Sequence, residues 1–329
     1  MERVGVIGLG NWGTALANHF GRKGLKVSAW SRDPDLVASI NSKQRNPRFL
    51  SSVELSSSIR ATTDLAVVCS EQFLVIALPS QVLETLAALN TIKPDAIVAS
   101  AVKGLQSGSL KTPLQFLADR IGGPDRLCVV SGPSFASDLV AHRPIGVVVA
   151  STAEGTARRV AEALTAEWLR AYTSTDPLGV ELGGVVKNVI ALAAGVCDGL
   201  QLGESARAGL ITRGLAEMTR LAVAMGANER TLSGLSGLGD LAMTATSATS
   251  RNYTVGFRLG SGEPLDAIAA SIGSVAEGVR TTPLVVRLGE QHGVDLPIST
   301  AVGKVLAGSV TPTEMAKALI SRPIKPEFH

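Results

Sequence analysis

The stretch Gly8-Leu9-Gly10-Asn11-Trp12-Gly13 constrains the fold of this chain more than any other. It follows a short apolar run, residues 4–8, and opens a helix-patterned segment, residues 14–22. In that setting each glycine has a task. The first permits a tight turn, the second lets main chain approach a pyrophosphate, and the third lets helix and strand pack closely, with the helix N-terminus aimed at the anion. Strand, glycine turn and helix at the start of an α/β pattern form the context that a dinucleotide-binding loop demands.

The rest of the first half agrees. Further strand-like runs fall at 26–30, 74–78, 96–101, 127–131 and 146–151, separated by helix-length segments. Short apolar runs alternating with helices argue for a mainly parallel sheet covered on both faces, a Rossmann-like α/β domain. After Asp176-Pro177 the texture changes to Ala/Leu-rich segments with helical spacing, at 180–200, 206–225, 265–270, 282–289 and 298–306. The expectation is a dinucleotide-binding domain over 1–178 and an all-helical substrate-binding and catalytic domain over 179–329. With 329 residues the chain has ample length for two such cores. The end, 322–329, with two prolines, reads as a loose tail.

The net charge of +3 gives no reason to invoke nucleic acid and suits a small anionic substrate. Cys69, Cys128 and Cys197 are odd in number and set in apolar runs, which predicts buried free thiols in a reducing compartment, the cytoplasm. The glycines at 8, 10 and 13 spoil any signal-peptide core near the N-terminus, and no segment approaches about 18 consecutive apolar residues, so no membrane span is expected. The histidines His19, His142, His292 and His329 form no metal or triad pattern, and no metal site is expected.

The second strand ends at Trp30-Ser31-Arg32-Asp33. NAD enzymes usually place an acid there, on the adenine ribose. Arg32 suits a 2′-phosphate instead, while Asp33 followed by Pro34 also reads as the cap of the next helix.

Five later motifs narrow the reading. They are Lys103-Gly104-Leu105, Ser131-Gly132-Pro133-Ser134-Phe135-Ala136, Val186-Lys187-Asn188-Val189-Ile190-Ala191, Gly237-Leu238-Gly239-Asp240-Leu241 and Ser250-Arg251-Asn252. In this order and spacing the chain resembles the bacterial NAD(P)-dependent glycerol-3-phosphate dehydrogenases over nearly its whole length. The resemblance implies hydride transfer between NAD(P)H and dihydroxyacetone phosphate, a phosphotriose, giving glycerol 3-phosphate for glycerophospholipid synthesis. It also implies a homodimer. By the same resemblance Lys187 is the proton acceptor of the oxidation, aided by Lys103 and Asp240. The substrate contacts are Lys103, Gly132, Ser134, Lys187, Asp240, Ser250, Arg251 and Asn252. The cofactor, NADP or NAD, meets Asn11, Trp12, Arg32, Lys103, Ala136, Arg251, Val275 and Glu277, besides Gly8, Gly10 and Gly13 of the loop. Ser205 stands where the family usually carries asparagine.

The chemistry is consistent. Hydride addition to a ketone makes an alkoxide, which needs a proton. A lysine supplies one when desolvation and nearby cations lower its pKa, and Lys187 sits among Val185, Val186, Val189 and Ile190. Taken alone, Lys187 reads equally well as a lysine reaching from an amphipathic helix to solvent. Asp240 alone also admits an ordinary helix cap, and Arg251 and Lys103 alone also admit solvated surface charges. Two other functions fit the domain plan: a related two-domain hydroxyacid dehydrogenase, and a non-catalytic NADPH-binding redox sensor.

Overall fold

The computed structural model describes residues 1–272, 276–324 and 326–327. It divides into two compact units, Met1–Glu181 with Gly234–Ser236, and Leu182–Ser233 with Gly237–His329.

The first unit carries eight strands: β1 (Arg3–Ile7), β2 (Lys26–Trp30), β3 (Ile59–Thr62), β4 (Phe73–Ile76), β5 (Ile97–Ser100), β6 (Leu127–Ser131), β7 (Ile145–Ala150) and β8 (Leu169–Ser174). Its helices are α1 (Asn11–Arg22), α2 (Pro34–Lys43), α3 (Leu65–Cys69), α4 (Ser80–Thr85), α5 (Pro113–Ile121), α6 (Ala136–Val140) and α7 (Glu154–Leu164). The sheet order is β3-β2-β1-β4-β5-β6-β7-β8. Strands β1 to β6 all pair in parallel. Side chains alternate between two cores, as they must when both faces are covered. Phe73 and Val75 enter one core and Leu74 and Ile76 the other; Cys128 and Val130 enter the first and Leu127 and Val129 the second. The three cysteines are free and buried.

The sheet is mainly parallel, as expected; strand β7 alone changes direction, pairing antiparallel with β6. Strands β3 and β8 were not anticipated. The β3 run Ile-Arg-Ala-Thr is only four residues long and half polar, and β8 is an edge strand with Arg170 and Thr173 exposed, so neither carries a strong apolar signal.

The second unit is built from α8 (Pro177–Gly199, whose first residues count with the first unit), α9 (Glu204–Ala224), α10 (Glu229–Leu232), α11 (Asp240–Ala245), α12 (Arg251–Gly260), α13 (Leu265–Ile272), α14 (Glu277–Gln291), α15 (Pro297–Leu306) and α16 (Pro312–Ile320). No strand occurs among its described residues. By length and composition α8 is apolar enough to cross a membrane, with mean hydropathy 1.6, and that span is entirely buried. Its apolarity is thus accounted for by protein contacts on every side.

Helices α8 and α12 run parallel and touch main chain to main chain. A Cβ on Gly256 would lie 2.0 Å from Leu192 O, one on Gly195 2.1 Å from Tyr253 O, and one on Gly260 2.5 Å from Val196 O. The glycines fix a constant register in which Asn252 lies beside Asn188, one residue past Lys187. The C-terminal stretch, expected to be loose, is exposed throughout its described part and makes two surface contacts: Arg322 pairs with Asp295 at 2.6 Å, and Arg213 donates to Glu327 O at 3.0 Å.

Candidate active site

In the first unit, the expected residues follow the carboxyl ends of parallel strands. Gly8 follows β1, Arg32 follows β2, Lys103 follows β5, and Gly132, Ser134 and Ala136 follow β6. The order of strands reverses at β1, flanked by β2 and β4, and open α/β sheets bind ligands at such a switch point. Gly8 has φ 104°, and a Cβ on Gly13 would lie 1.8 Å from Gly8 O, so both positions demand glycine. Gly10 differs: a Cβ there would meet nothing within 4 Å. Gly10 also provides no side-chain cap for α1. Open space beside Gly10 thus lies at an uncapped helix N-terminus, which fits a pyrophosphate.

The loop is braced from behind by Asn46, a residue the sequence alone does not single out. Asn46 is wholly buried. Its amide donates to Leu9 O at 3.0 Å and to Thr14 Oγ1 at 2.8 Å, and its oxygen accepts from the main chain of Arg48 and Phe49. Asp33 caps α2, accepting from the N–H groups of Asp35 and Leu36 at 3.1 and 3.3 Å, and forms an ion pair with Arg48 at 2.9 Å. Of the two readings open for it, the cap is the one observed. On β6, Ser134 Oγ donates to Gly132 O at 3.0 Å. Lys103 is half-buried and Arg32 exposed.

In the second unit, Lys187 lies in α8, and its ammonium donates to the carboxylate of Asp240 and, at 2.9 Å, to Thr244 Oγ1. The lysine side chain is 7% exposed and the aspartate 0%. Thr244 in turn donates to Asp240 O at 2.6 Å. Asp240 opens α11 as its first helical residue rather than capping it, with Gly239 in the cap position and a π-helical turn, Leu235–Gly239, just before. Such turns reset which face of a helix a residue occupies and recur at functional sites. Lys187 therefore does not reach for solvent. It is a buried cation held by a buried anion, an arrangement costly to desolvate that marks this pair as the candidate site of the second unit. Thr244 was not foreseen. Its only signal is a spacing of four from Asp240, one helical turn.

Ser250 caps α12, accepting from Tyr253 N at 3.3 Å. Arg251, exposed, is the first residue of that helix. Asn252 is buried and its side chain is engaged by protein: it donates to Asn188 Oδ1 at 2.9 Å and accepts from Gly278 N at 2.8 Å. It ties α12 to α8 and to the start of α14. Glu277 begins α14, half-buried. Val275 lies outside the described residues. Ser205 is exposed in the first turn of α9.

Comparison with known proteins accounts for this arrangement. Residues 3–157 match the NAD-dependent glycerol-3-phosphate dehydrogenase N-terminus family and residues 176–317 the corresponding C-terminus family. The chain belongs to the NAD-dependent glycerol-3-phosphate dehydrogenase family. It is 44% identical over 332 residues to the glycerol-3-phosphate dehydrogenase (NAD(P)+) of Thermobifida fusca, covering 99% of each chain. It is 45% identical over 330 residues to that of Stenotrophomonas maltophilia, covering 99% of this chain and 97% of the relative. The crystal structure of glycerol-3-phosphate dehydrogenase from Coxiella burnetii superposes with a TM-score of 0.93 at 35% identity, covering 98% of this chain and 99% of that one. Glycerol-3-phosphate dehydrogenase family membership thus extends over both units, including the motifs that carry Lys187 and Asp240.

Proposed function

We propose that the chain is a glycerol-3-phosphate dehydrogenase that interconverts dihydroxyacetone phosphate and sn-glycerol 3-phosphate using NADPH or NADH. The observation that carries this reading is the buried Lys187 held by Asp240 and Thr244, in a chain of this family.

The first unit binds the cofactor and the second the substrate. The 8–13 loop and the start of α1 hold the pyrophosphate, with Asn11 and Trp12 in the first turn and Lys103 and Ala136 after β5 and β6; the resemblance adds Arg251, Val275 and Glu277 as cofactor contacts. The bound dihydronicotinamide supplies the hydride to the substrate carbonyl carbon. The chain's own residues do the rest. Arg251 and the N-terminus of α12, capped by Ser250, hold the substrate phosphate by charge and N–H donors. Gly132, Ser134 and Lys103 position the triose. Lys187 Nζ gives its proton to the oxygen that becomes the new hydroxyl, and in the reverse direction takes it back. Asp240 and Thr244 hold the ammonium in one orientation, so little reorganisation accompanies the transfer.

The wider role follows from the product. Glycerol 3-phosphate is the backbone of glycerophospholipids, and we assign the enzyme to their synthesis in the cytoplasm, acting as a homodimer.

The test compares dihydroxyacetone phosphate with unphosphorylated dihydroxyacetone as oxidants of NADPH. The phosphate ester should have a kcat/KM at least about 100-fold higher, the scale of a few charge-assisted hydrogen bonds. Equal values would remove the phosphate site and with it this substrate.

A further inference from the structure

We propose that the second unit carries a further small-molecule site, a cavity among α8, α9, α15 and α16 that takes an alkyl chain ending in an anionic head. The cavity measures about 610 Å³, within the range of small-molecule sites. It lies wholly in the helical unit, and binding there does not depend on the dehydrogenase reading. It is also apart from Lys187. The residues that α8 gives it start at Ala193 and continue through Val196, Cys197 and Leu200. Ala193 is already about 9 Å further along the helix than Lys187, and these four lie on a face turned away from the lysine.

The walls are apolar, formed by Val196, Leu200, Leu210, Ile298, Met315 and Leu319. One wall residue is a glycine that the protein's own packing does not require. Gly209 lies inside α9, where glycine is destabilising relative to alanine. A Cβ on it would meet nothing within 4 Å, whereas one on Gly214 of the same helix would lie 2.4 Å from Ile190 Cγ2. Gly214 is accounted for by contact with α8. Gly209 leaves main chain open to the cavity, as where a ligand approaches closely.

The charge at the cavity selects the head. Arg213 and Arg220 line it from α9, two turns apart and both half-buried. Each gives one hydrogen bond, to a main-chain carbonyl: Arg213 to Glu327 O at 3.0 Å and Arg220 to Asp295 O at 3.3 Å. Among the described residues neither is held in an ion pair, whereas Arg322 beside them is committed to Asp295 at 2.6 Å. Glu217 lies between the two arginines on α9, but its carboxyl accepts from Ile298 N, Ser299 N and Ser299 Oγ. Burial pushes it up to about 7, which weakens its claim on them. With Glu217 protonated, three arginines face Asp295 and Glu327, leaving one positive charge. Half-buried guanidiniums with N–H donors to spare, beside an apolar wall, suit a carboxylate or phosphate carried on a hydrocarbon chain.

Calorimetric titration of the full chain with ten-carbon probes, kept below their micellar concentrations, tests this. Decanoate or decyl phosphate should bind at least about tenfold more tightly than decanol, the scale of a charge-assisted hydrogen bond, and decylammonium more weakly than either anion. The tighter of the two anions tells a free acid from a phosphate ester. Octanoate should bind about tenfold more weakly than decanoate, because two methylenes fewer are buried. Gly209→Phe, which fills the cavity from an open position, should abolish binding and keep the melting temperature and turnover of wild type. Arg213→Gln with Arg220→Gln should bring the anions down to the affinity of decanol. The proposal is overturned if no anionic probe binds, if head charge makes no difference, or if Gly209→Phe binds as wild type does. It is equally overturned if the probes do not bind and Gly209→Phe shifts the sedimentation of the chain from dimer to monomer, which would give this face to a second copy.

Discussion

The ammonium of Lys187, on α8, donates to the carboxylate of Asp240, on α11, where both side chains are buried. The two residues are far apart in sequence, and a π-helical turn, Leu235–Gly239, lies just before Asp240. Removing either charge separates chemistry from cofactor binding. Lys187→Ala should lower kcat by about 1000-fold, within the range of a lost general acid, and leave the NADPH dissociation constant within a few-fold. Asp240→Asn keeps the shape and should lower kcat more than it raises KM. Steady-state rates and a fluorescence titration check both. Wild-type turnover by Lys187→Ala would remove it as the proton donor.

The loop glycines should fail in different ways. A methyl group on Gly10 meets no protein atom within 4 Å, whereas one on Gly13 would sit 1.8 Å from Gly8 O. Gly10→Ala should fold with an unchanged melting temperature and bind NADPH at least about tenfold more weakly, because the methyl occupies pyrophosphate space. Gly13→Ala should lose thermal stability or fail to fold. Equal melting temperatures for the two variants would show that the loop is not as tight as described.

The α8–α12 contact should be similarly intolerant. Gly256→Ala forces a Cβ to 2.0 Å from Leu192 O. Overpacking of this kind costs about 1–3 kcal/mol, which thermal or urea denaturation resolves. Gly262, where a Cβ would meet nothing within 4 Å but φ is 92°, should show only the smaller backbone cost when replaced by alanine.

Glu217 predicts a pH dependence of stability. It is buried in α9 and accepts from the main-chain N–H groups of Ile298 and Ser299 and from Ser299 Oγ, at the start of α15. Burial outweighs these donors and pushes its carboxyl up to about 7. The folded chain therefore keeps a proton that the unfolded chain has released. The contribution is complete below the unfolded value near 4.5, falls as pH rises, and is gone above about 7, on the order of 3 kcal/mol in all. Glu217→Gln, neutral at every pH and still an acceptor, should gain stability relative to wild type between pH 5 and pH 8. A difference constant over that range would contradict the shift.

The alternation of apolar runs and helices made the parallel sheet and the helical half legible, since period and length are local properties of the chain. Strand β7 was visible as a strand but its antiparallel direction was not, because direction is set by the connection and leaves no local pattern. In the site, Lys187 and Asp240 were legible only as members of motifs. Taken alone, each had an ordinary reading, and the pairing that decides between them joins α8 to α11. Asn46 and Thr244 were missed for the same reason: a saturated buried amide and a bridging hydroxyl look, in sequence, like any loop asparagine and any helix threonine. The role of Asp33 as the cap of α2 was readable, because a cap depends on the residues that immediately follow it.

The central claim is that this chain reduces dihydroxyacetone phosphate with a nicotinamide cofactor through Lys187. Its most direct test is the initial rate of NADPH and NADH oxidation with dihydroxyacetone phosphate at neutral pH, followed by absorbance. The account predicts saturable turnover forming glycerol 3-phosphate, faster with NADPH than with NADH at low cofactor concentration. A folded protein that binds NADPH and turns over neither cofactor with this substrate would contradict it.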